Sequence, residues 1–289
     1  MFTTLLDKIT SVATMEFSSA TDALVDYIDS TKGFIDILEQ IGTIPESIPH
    51  DSTEEKLFAK SSDAVLARAF REIGLKSSVM KERADSADVL VESFIFGYTM
   101  VADAKAFRMS RTAKNQKDFK VVALSGWRKD ADYAVLCSPY FHYPKSQSQI
   151  YAQSIDHNVC LLSWEHLIFM IKNDIRENEQ LNLSKIWDFS ELYSHEIVVA
   201  DKKKCFLVPF SNTLVSTVAL DSTDFNDLLT GQIIKIADRG EIETGYWKKE
   251  KVLILSYTKE QAIEELIKSK KIDEKVSQIE RFIKGVRND

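Results

Sequence analysis

The chain has 289 residues, of which 44% are apolar and 28% are charged, and its formal net charge is −7. This composition is that of a globular protein, and the small numbers of glycine (9) and proline (5) exclude collagen-like and low-complexity sequence. The apolar runs are shorter than the roughly 20 residues of a membrane helix, and the first residues lack the pattern of a signal peptide. We therefore expect a cytoplasmic protein with no membrane partner.

Residues 1–43 predict two helices, because apolar residues recur at helical spacing over Leu5–Val12 and again over Phe34–Ile41. Pro45 and Pro49 indicate a linker after the second helix.

A longer helix is expected to begin after Ser52, a typical N-cap residue, and to end at Gly74. Glu55 stands three residues after Ser52, at the capping-box position. Two antiparallel strands, Val89–Phe96 and Tyr98–Phe107, follow this helix in sequence.

The next expected elements are a helix over Gln116–Lys129, buried strands over Tyr133–Cys137 and Val159–Leu162, and a helix over Trp164–Asn173. The chain after residue 176 is expected to be mostly helical. The pattern predicts an α/β fold, a mixed sheet flanked by helices, with helical additions at both ends.

Three regions follow from this pattern of elements. They are an N-terminal helical region (1–50), an α/β core (51–175) and a C-terminal helical region (176–289), and we expect them to form one compact domain.

The cysteines and histidines argue against a soft metal site. Cys137, Cys160 and Cys205 are widely spaced, with neither a C-x-x-C pair nor the even number of a disulfide framework, and the five histidines show no H-x-x-x-H spacing. Free thiols in a reduced cytoplasm are expected, and any metal chemistry must depend on carboxylates.

The tripeptide Asp103-Ala104-Lys105 is the most informative motif. Residues i and i+2 of a strand point to the same face, so Asp103 and Lys105 place an anion beside a cation. A carboxylate there can hold a hard cation such as Mg²⁺, and the ammonium can stabilise an attacking water or phosphate charge. Hairpin counting leaves Asp88 and Glu92 as alternative acidic partners, and a third acid, Glu55, is also available.

A basic segment begins at this motif. Lys105–Lys129 contains eight basic residues and one acid, Asp118, a local charge of +7 in an acidic protein. Such a segment can face the phosphates of DNA or RNA, although many charged runs are only solvated surface. The bases that we expect to contact nucleic acid are Arg108, Arg111, Lys114, Lys117 and Lys120.

These residues resemble a known family of nucleases. Asp88 with Asp103-Ala104-Lys105 resembles the PD-(D/E)xK signature, and a closer resemblance is to restriction endonucleases of the HindIII family. The segments that carry it, densest over 52–167, are 52–58 (STEEKLF), 102–105 (ADAK), 110–121 (SRTAKNQKDFKV), 132–136 (DYAVL), 163–167 (SWEHL) and 282–285 (FIKG).

The resemblance implies a type II restriction endonuclease of the EcoRI-like class, a homodimer that cuts double-stranded DNA at AAGCTT between the adenines and leaves 5′ overhangs. It implies Mg²⁺, with two ions in each active site and Mn²⁺ as a substitute, held by Asp88, Asp103 and the Ala104 carbonyl. Lys105 would orient the attacking water, and Glu55 would be an indirect or water-mediated ligand. A companion DNA methyltransferase is expected in the host.

Asn115, Lys117 and Asp118 are expected at the start of the helix that follows the strands, where they could enter the major groove. An asparagine can pair with adenine, a lysine can donate to guanine, and a carboxylate can accept from cytosine. Asp118 could instead be a helix-start acid favoured by the dipole, or, less plausibly, a metal ligand.

Two other functions stay open at this point. The chain could be a nuclease of the same fold with another target, in repair or junction cutting, or a non-catalytic DNA-binding or interaction protein whose D-x-K is incidental.

Overall fold

A computed structural model of the chain describes residues 2–80, 86–111 and 116–288. The chain forms two compact units, residues 1–238 and residues 239–289.

The first unit is organised around a five-stranded mixed sheet in the order β1-β2-β3-β4-β5. The strands are β1 (Lys76–Val79), β2 (Val89–Glu92), β3 (Thr99–Ala104), β4 (Tyr133–Ser138) and β5 (Val159–Ser163). Strand β2 pairs antiparallel with both β1 and β3, and β3, β4 and β5 are parallel. The mixed sheet and the β2–β3 hairpin confirm the expected α/β class, whereas β1 was not predicted.

Helices flank the sheet, precede it and follow it. Their bounds are α1 (Phe2–Val12), α2 (Phe17–Ser30), α3 (Phe34–Leu38), α4 (Thr53–Glu72), α5 (Gln116–Phe119), α6 (Val121–Trp127), α7 (Gln149–His157), α8 (Trp164–Lys172), α9 (Ser184–Trp187), α10 (Phe189–Ser194), α11 (Leu207–Thr217), α12 (Ser222–Leu255), α13 (Lys259–Ser269) and α14 (Ile272–Asn288). All five residues of β5 and five of six in β4 are buried, as expected for strands covered on both faces.

Helix α4 packs across β1, β2 and β3 and carries much of the core. It begins as the sequence predicts, because the Ser52 hydroxyl accepts a hydrogen bond from the Glu55 amide at 3.1 Å. It ends before Gly74, whose φ of +91° is left-handed backbone. A Cβ there would lie 2.9 Å from the Glu177 carbonyl oxygen, so the turn requires glycine.

Besides β1, the structure differs from the predicted elements in several places, and β2 and β3 are shorter than the strands predicted for 89–96 and 98–107. Helix α2 lies between the two helices predicted for residues 1–43, and α7 precedes β5. The predicted helix Gln116–Lys129 is broken into α5 and α6 at Lys120, whose φ is +53°. The left-handed residue interrupts the helical hydrogen-bond ladder, so the predicted helix becomes two short ones.

The second unit consists of helices whose apolar side chains face solvent. Among its described side chains only Glu243 is buried, and large apolar residues from Ile242 to Ile283 are exposed. In the part of the chain that the structure describes, none of the helices combines the length and the apolar character needed to cross a bilayer.

Candidate metal centre

Three aspartates from three different elements converge beside the sheet. Asp63 comes from α4, Asp88 directly precedes β2, and Asp103 lies in β3. One carboxylate oxygen of each lies within 4.8 Å of the others. We call this group the three-acid cluster.

Strand register explains why Asp88 belongs to this cluster and Glu92 does not. Val89 pairs with Ala102, so the antiparallel ladder brings the preceding residue, Asp88, opposite Asp103. Glu92 lies at the other end of β2, where its carboxylate accepts a hydrogen bond from Lys76 at 3.0 Å. The structure therefore brings together Asp88 and Asp103 of the sequence-predicted residues and leaves Glu92 outside.

Two lysines neutralise part of the cluster. The ammonium of Lys105 donates to Asp103, as expected for residues i and i+2 on one strand face. Lys60, one turn before Asp63 on α4, donates to Asp63 Oδ2 at 3.2 Å and also to Asp88 Oδ1.

Burial and crowding raise the pKa values of two of the aspartates, Asp63 and Asp103. Burial, followed by the negative charge of Asp88, raises the pKa of Asp63 well above its usual value. Burial also raises the pKa of Asp103, although the neighbouring Lys105 opposes this effect. Burial by itself lowers the pKa of Lys60, but the charges of Asp63 and Asp88 outweigh it and raise that pKa. A divalent cation would relieve the repulsion among the carboxylates.

The backbone of Lys105 is fixed on both sides. Its amide donates to the Cys137 carbonyl at 2.7 Å, and the Trp164 indole Nε1 donates to its carbonyl oxygen at 3.0 Å. The indole lies against Gly42, where a Cβ would come within 2.8 Å of Trp164 Cδ1. Gly42 therefore makes room for the ring that holds Lys105.

Glu55 and Arg108 form a separate site. The guanidinium of Arg108 donates to Glu55 Oε1 at 2.7 Å and to the Pro45 carbonyl at 2.7 Å. The second Glu55 oxygen accepts from the Asp51 amide at 2.8 Å. We call Arg108, Glu55 and the Pro45 carbonyl the Arg108 clamp. The structure thus places Glu55 outside the three-acid cluster and Arg108, only 4% exposed, inside the protein rather than on a DNA-facing surface.

The basic segment contributes one further residue near the cluster, Lys120. Arg111 donates to Asp118 of α5, so this lone acid has a cationic partner within the chain. Lys117 and Lys120 are exposed, and the charge of Lys120 acts on Asp103. Lys114 and Asn115 lie outside the described residues. The structure therefore places Lys120 of this segment beside the cluster, in the same cleft as Asp88.

Sequence reasoning missed Lys60 and Asp63. The signal was the position of Asp63 within a run of buried helix residues, Leu57–Phe70, where an unpaired carboxylate would be costly. Sequence reasoning chose Glu55 as the third acid instead, because Glu55 lies in one of the segments that resemble the HindIII family. Ala104, whose carbonyl is the other predicted ligand, is the last residue of β3.

Comparison with known proteins identifies the family of this chain. The family model for the HindIII restriction endonuclease matches residues 6–283. The chain belongs to the HindIII restriction endonuclease family. A relative from Haemophilus influenzae (strain ATCC 51907 / DSM 11121 / KW20 / Rd), the type II restriction enzyme HindIII, is 42% identical over 287 residues, 99% of this chain and 96% of that protein.

The chain is therefore a restriction endonuclease, a site-specific deoxyribonuclease, and the resemblance found in its motifs is confirmed. The restriction-endonuclease-like α/β fold is also confirmed. Among solved structures, the restriction endonuclease FokI aligns over 60% of this chain and 33% of its own, with a TM-score of 0.38 and 13% identity.

Proposed function

We propose that this restriction endonuclease hydrolyses double-stranded DNA at the palindrome AAGCTT, between the adenines, in a Mg²⁺-dependent reaction that leaves 5′ overhangs. The observation that carries the metal-dependent part is the three-acid cluster beside Lys105. The target sequence is proposed from the 42% identity to the HindIII enzyme.

The donor set fits a hard divalent cation. Carboxylate and carbonyl oxygens are the ligands of Mg²⁺ and Mn²⁺, and Asp63, Asp88, Asp103 and the Ala104 carbonyl supply them. Three carboxylates offer ligands for one ion or, by sharing, for the two ions that we propose. When bound, such a cation polarises the phosphate and lowers the pKa of a coordinated water.

Lys105 is the residue that we propose acts on the reacting atoms. Its ammonium is held by Asp103, and its backbone is fixed by Cys137 and Trp164, so it is pre-positioned. In the reaction the water oxygen would form a bond to phosphorus and lose a proton to solvent, while the ester bond breaks and the leaving oxygen takes up a proton from solvent. A fixed ammonium beside the phosphate stabilises the charge that develops there.

The basic segment is proposed to contact the DNA. Arg111, Lys117 and Lys120 would neutralise phosphates or donate to guanine, and Asp118 would accept from cytosine N4. The Arg111 partner supports this role for Asp118, because it offsets repulsion between a carboxylate and the phosphates. Asn115 and Lys114 complete the proposed set, as adenine and phosphate contacts.

Two copies of the chain are proposed to act together, since a two-fold target suits a two-fold protein. The exposed apolar residues of the second unit support a homodimer. On α14, Ile272, Val276, Ile279 and Ile283 recur at alternating spacings of four and three, the pattern of a helix that pairs with another helix. We also propose that the enzyme acts in the cytoplasm, with a companion DNA methyltransferase that protects the host genome.

Plasmid digestion tests the proposed function. The enzyme should give discrete fragments with Mg²⁺ and none with a chelator, and sequencing of the fragment ends should show a four-base 5′ AGCT overhang. Asp103→Asn should be inactive at equal concentration. A smear of nicked products, or a different end sequence, would contradict the proposed target.

A further inference from the structure

Lys60 contacts the three-acid cluster but has no role in the cleavage reaction as proposed. Its ammonium bridges two carboxylates, Asp63 at 3.2 Å and Asp88 at shorter range. Lys105, the other lysine of the cluster, contacts Asp103. The two lysines therefore contact different carboxylates of the cluster. Lys60 contacts those on the side formed by α4 and the start of β2.

The two ion pairs differ in how open they are. The side chains of Lys60 and Asp88 are 26% and 31% exposed, whereas those of Lys105 and Asp103 are 14% and 4% exposed. Lys60 and Asp88 also line a cleft of about 990 Å³, together with Lys56 and Lys120. The side that Lys60 holds is thus the side from which an ion can reach the cluster.

We propose that Lys60 competes with the metal for the cluster. Its ammonium links Asp63 to Asp88 and is displaced from Asp88 when a divalent cation binds. This inference rests on the proposed metal-dependent function. An ammonium and a divalent cation seek the same carboxylate oxygens, so both cannot hold Asp88 Oδ1 in the same way. Lys60 then has two effects: it stabilises the metal-free cluster, and it weakens the apparent affinity for the ion.

The flexible stem of lysine suits this exchange. The half-buried Lys60 can swing its head group into the cleft without moving α4, since four rotatable bonds separate the ammonium from the helix. Its contact with Asp63 spans one turn of the same helix and need not break. Displacement from Asp88 alone frees the ligand oxygen.

Mn²⁺ binding measured by calorimetry, without DNA, tests the proposal. Lys60→Met keeps the length of the side chain but removes the charge, and we expect about tenfold tighter Mn²⁺ binding than in the wild type. Lys56→Met is the matched control. It removes the same charge from the same helix, one turn earlier in the same cleft, and should change the Kd by less than about twofold. Lys60→Arg keeps a cation and should bind Mn²⁺ no more tightly than the wild type.

Lysine side-chain NMR gives a second readout on the unaltered protein. The Lys60 ammonium signal, assigned by its loss in Lys60→Arg, should shift as Mg²⁺ saturates the site. This measurement decides the matter even where Lys60→Met fails to fold. Equal Mn²⁺ affinity in Lys60→Met and wild type, equal tightening in Lys56→Met, or an unmoved Lys60 signal would each overturn the inference.

Asp103→Asn separates failure of this inference from failure of the proposed function. If Asp103→Asn loses Mn²⁺ binding while Lys60→Met binds like the wild type, the metal centre stands and the role of Lys60 falls. If Asp103→Asn binds Mn²⁺ like the wild type, the metal centre itself is wrong and the inference falls with it.

Discussion

The three-acid cluster and the Arg108 clamp both draw on helix α4 and on the segment around the end of β3, yet their charges differ. In the cluster three carboxylates face two lysines, and burial raises the pKa of Asp63 and of Asp103. In the clamp one carboxylate, Glu55, faces one guanidinium that a backbone carbonyl also holds. The difference teaches that an unbalanced group of acids can accept a cation, whereas a balanced ion pair is structural.

The largest expected effect is on the cleavage rate, and it comes from variants at the three-acid cluster. Asp103→Asn and Lys105→Ala should each lower the cleavage rate by about 10³-fold or more, because both groups act on the transition state. Binding of the cognate duplex in Ca²⁺ should stay close to wild type, since we propose that the basic segment supplies most of the affinity. Gel shift and cleavage assays on the same preparations measure both quantities. Near wild-type turnover in either variant would contradict the assignment.

At the Arg108 clamp we expect a substitution to change stability rather than metal binding. Arg108→Met should lower the free energy of unfolding by about 2–3 kcal/mol, because it leaves Glu55 in a partly buried position without its partner. The Mn²⁺ affinity of the folded protein should not change. Denaturant unfolding measures the first quantity, and the double variant Arg108→Met with Glu55→Gln should recover part of the loss. A large fall in Mn²⁺ affinity would instead make the clamp part of the metal site.

Asp88 and Glu92, on opposite ends of β2, sharpen the comparison further. Asp88→Asn should raise the Mg²⁺ concentration for half-maximal cleavage by about tenfold or more, because it removes one charged ligand. Glu92→Gln should be close to neutral, since Glu92 contacts Lys76 at the surface. The opposite ranking in a Mg²⁺ titration would transfer the ligand role to Glu92.

The pH dependence of Mn²⁺ binding should reflect the ionisation of Asp63 and Asp103. Burial raises the pKa of Asp63 and Asp103 above their usual values, so protons compete with the cation at a pH where an ordinary aspartate is ionised. Mn²⁺ affinity should therefore rise as the pH rises through these raised values. For the metal-free protein the sign is opposite: stability contributed by the protonated groups is present below the usual aspartate pKa and is lost as the pH rises through the raised one.

Asp63→Asn is the control for this titration, because it removes the more strongly perturbed group. Its stability should depend less on pH than that of the wild type, as followed by thermal unfolding in a chelator. Identical pH profiles for the two proteins would show that Asp63 is not a titrating member of the cluster.

The smallest expected effect concerns how Lys105 is held. Trp164→Phe keeps an aromatic ring against Gly42 but removes the donor to the Lys105 carbonyl. We expect kcat to fall by about threefold to tenfold with little change in KM, because one hydrogen bond positions a group that acts in the transition state. A change in KM alone would indicate a role in DNA binding.

Much of this fold was predictable because its elements have strong local signals. Ser52 capping α4, Gly97 between β2 and β3, and the apolar runs of β4 and β5 all identify their elements. The missed strand β1 has a weak signal. The strand β1 reads Lys-Ser-Ser-Val, a short polar segment that becomes a strand only through its pairing with β2.

The site was predictable where residues are close in sequence, and not where tertiary packing assembles it. Asp103 and Lys105 share a strand face by spacing alone, and the resemblance pointed to Asp88. Asp63 reaches them only because α4 crosses the sheet at that turn, and Glu55, two turns earlier, meets Arg108 instead. Helix register relative to the sheet is a packing property, so the local pattern around Asp63 indicates a buried acid but not its partners Asp88 and Asp103.

Anomalous scattering from Mn²⁺ in crystals of the enzyme with its cognate duplex tests the central claim most directly. We predict a peak within coordination distance of the Asp63, Asp88 and Asp103 carboxylates, with none at the Arg108 clamp. Peaks confined to other carboxylates, with the three aspartates left without an ion, would contradict the assignment of the three-acid cluster as the metal centre.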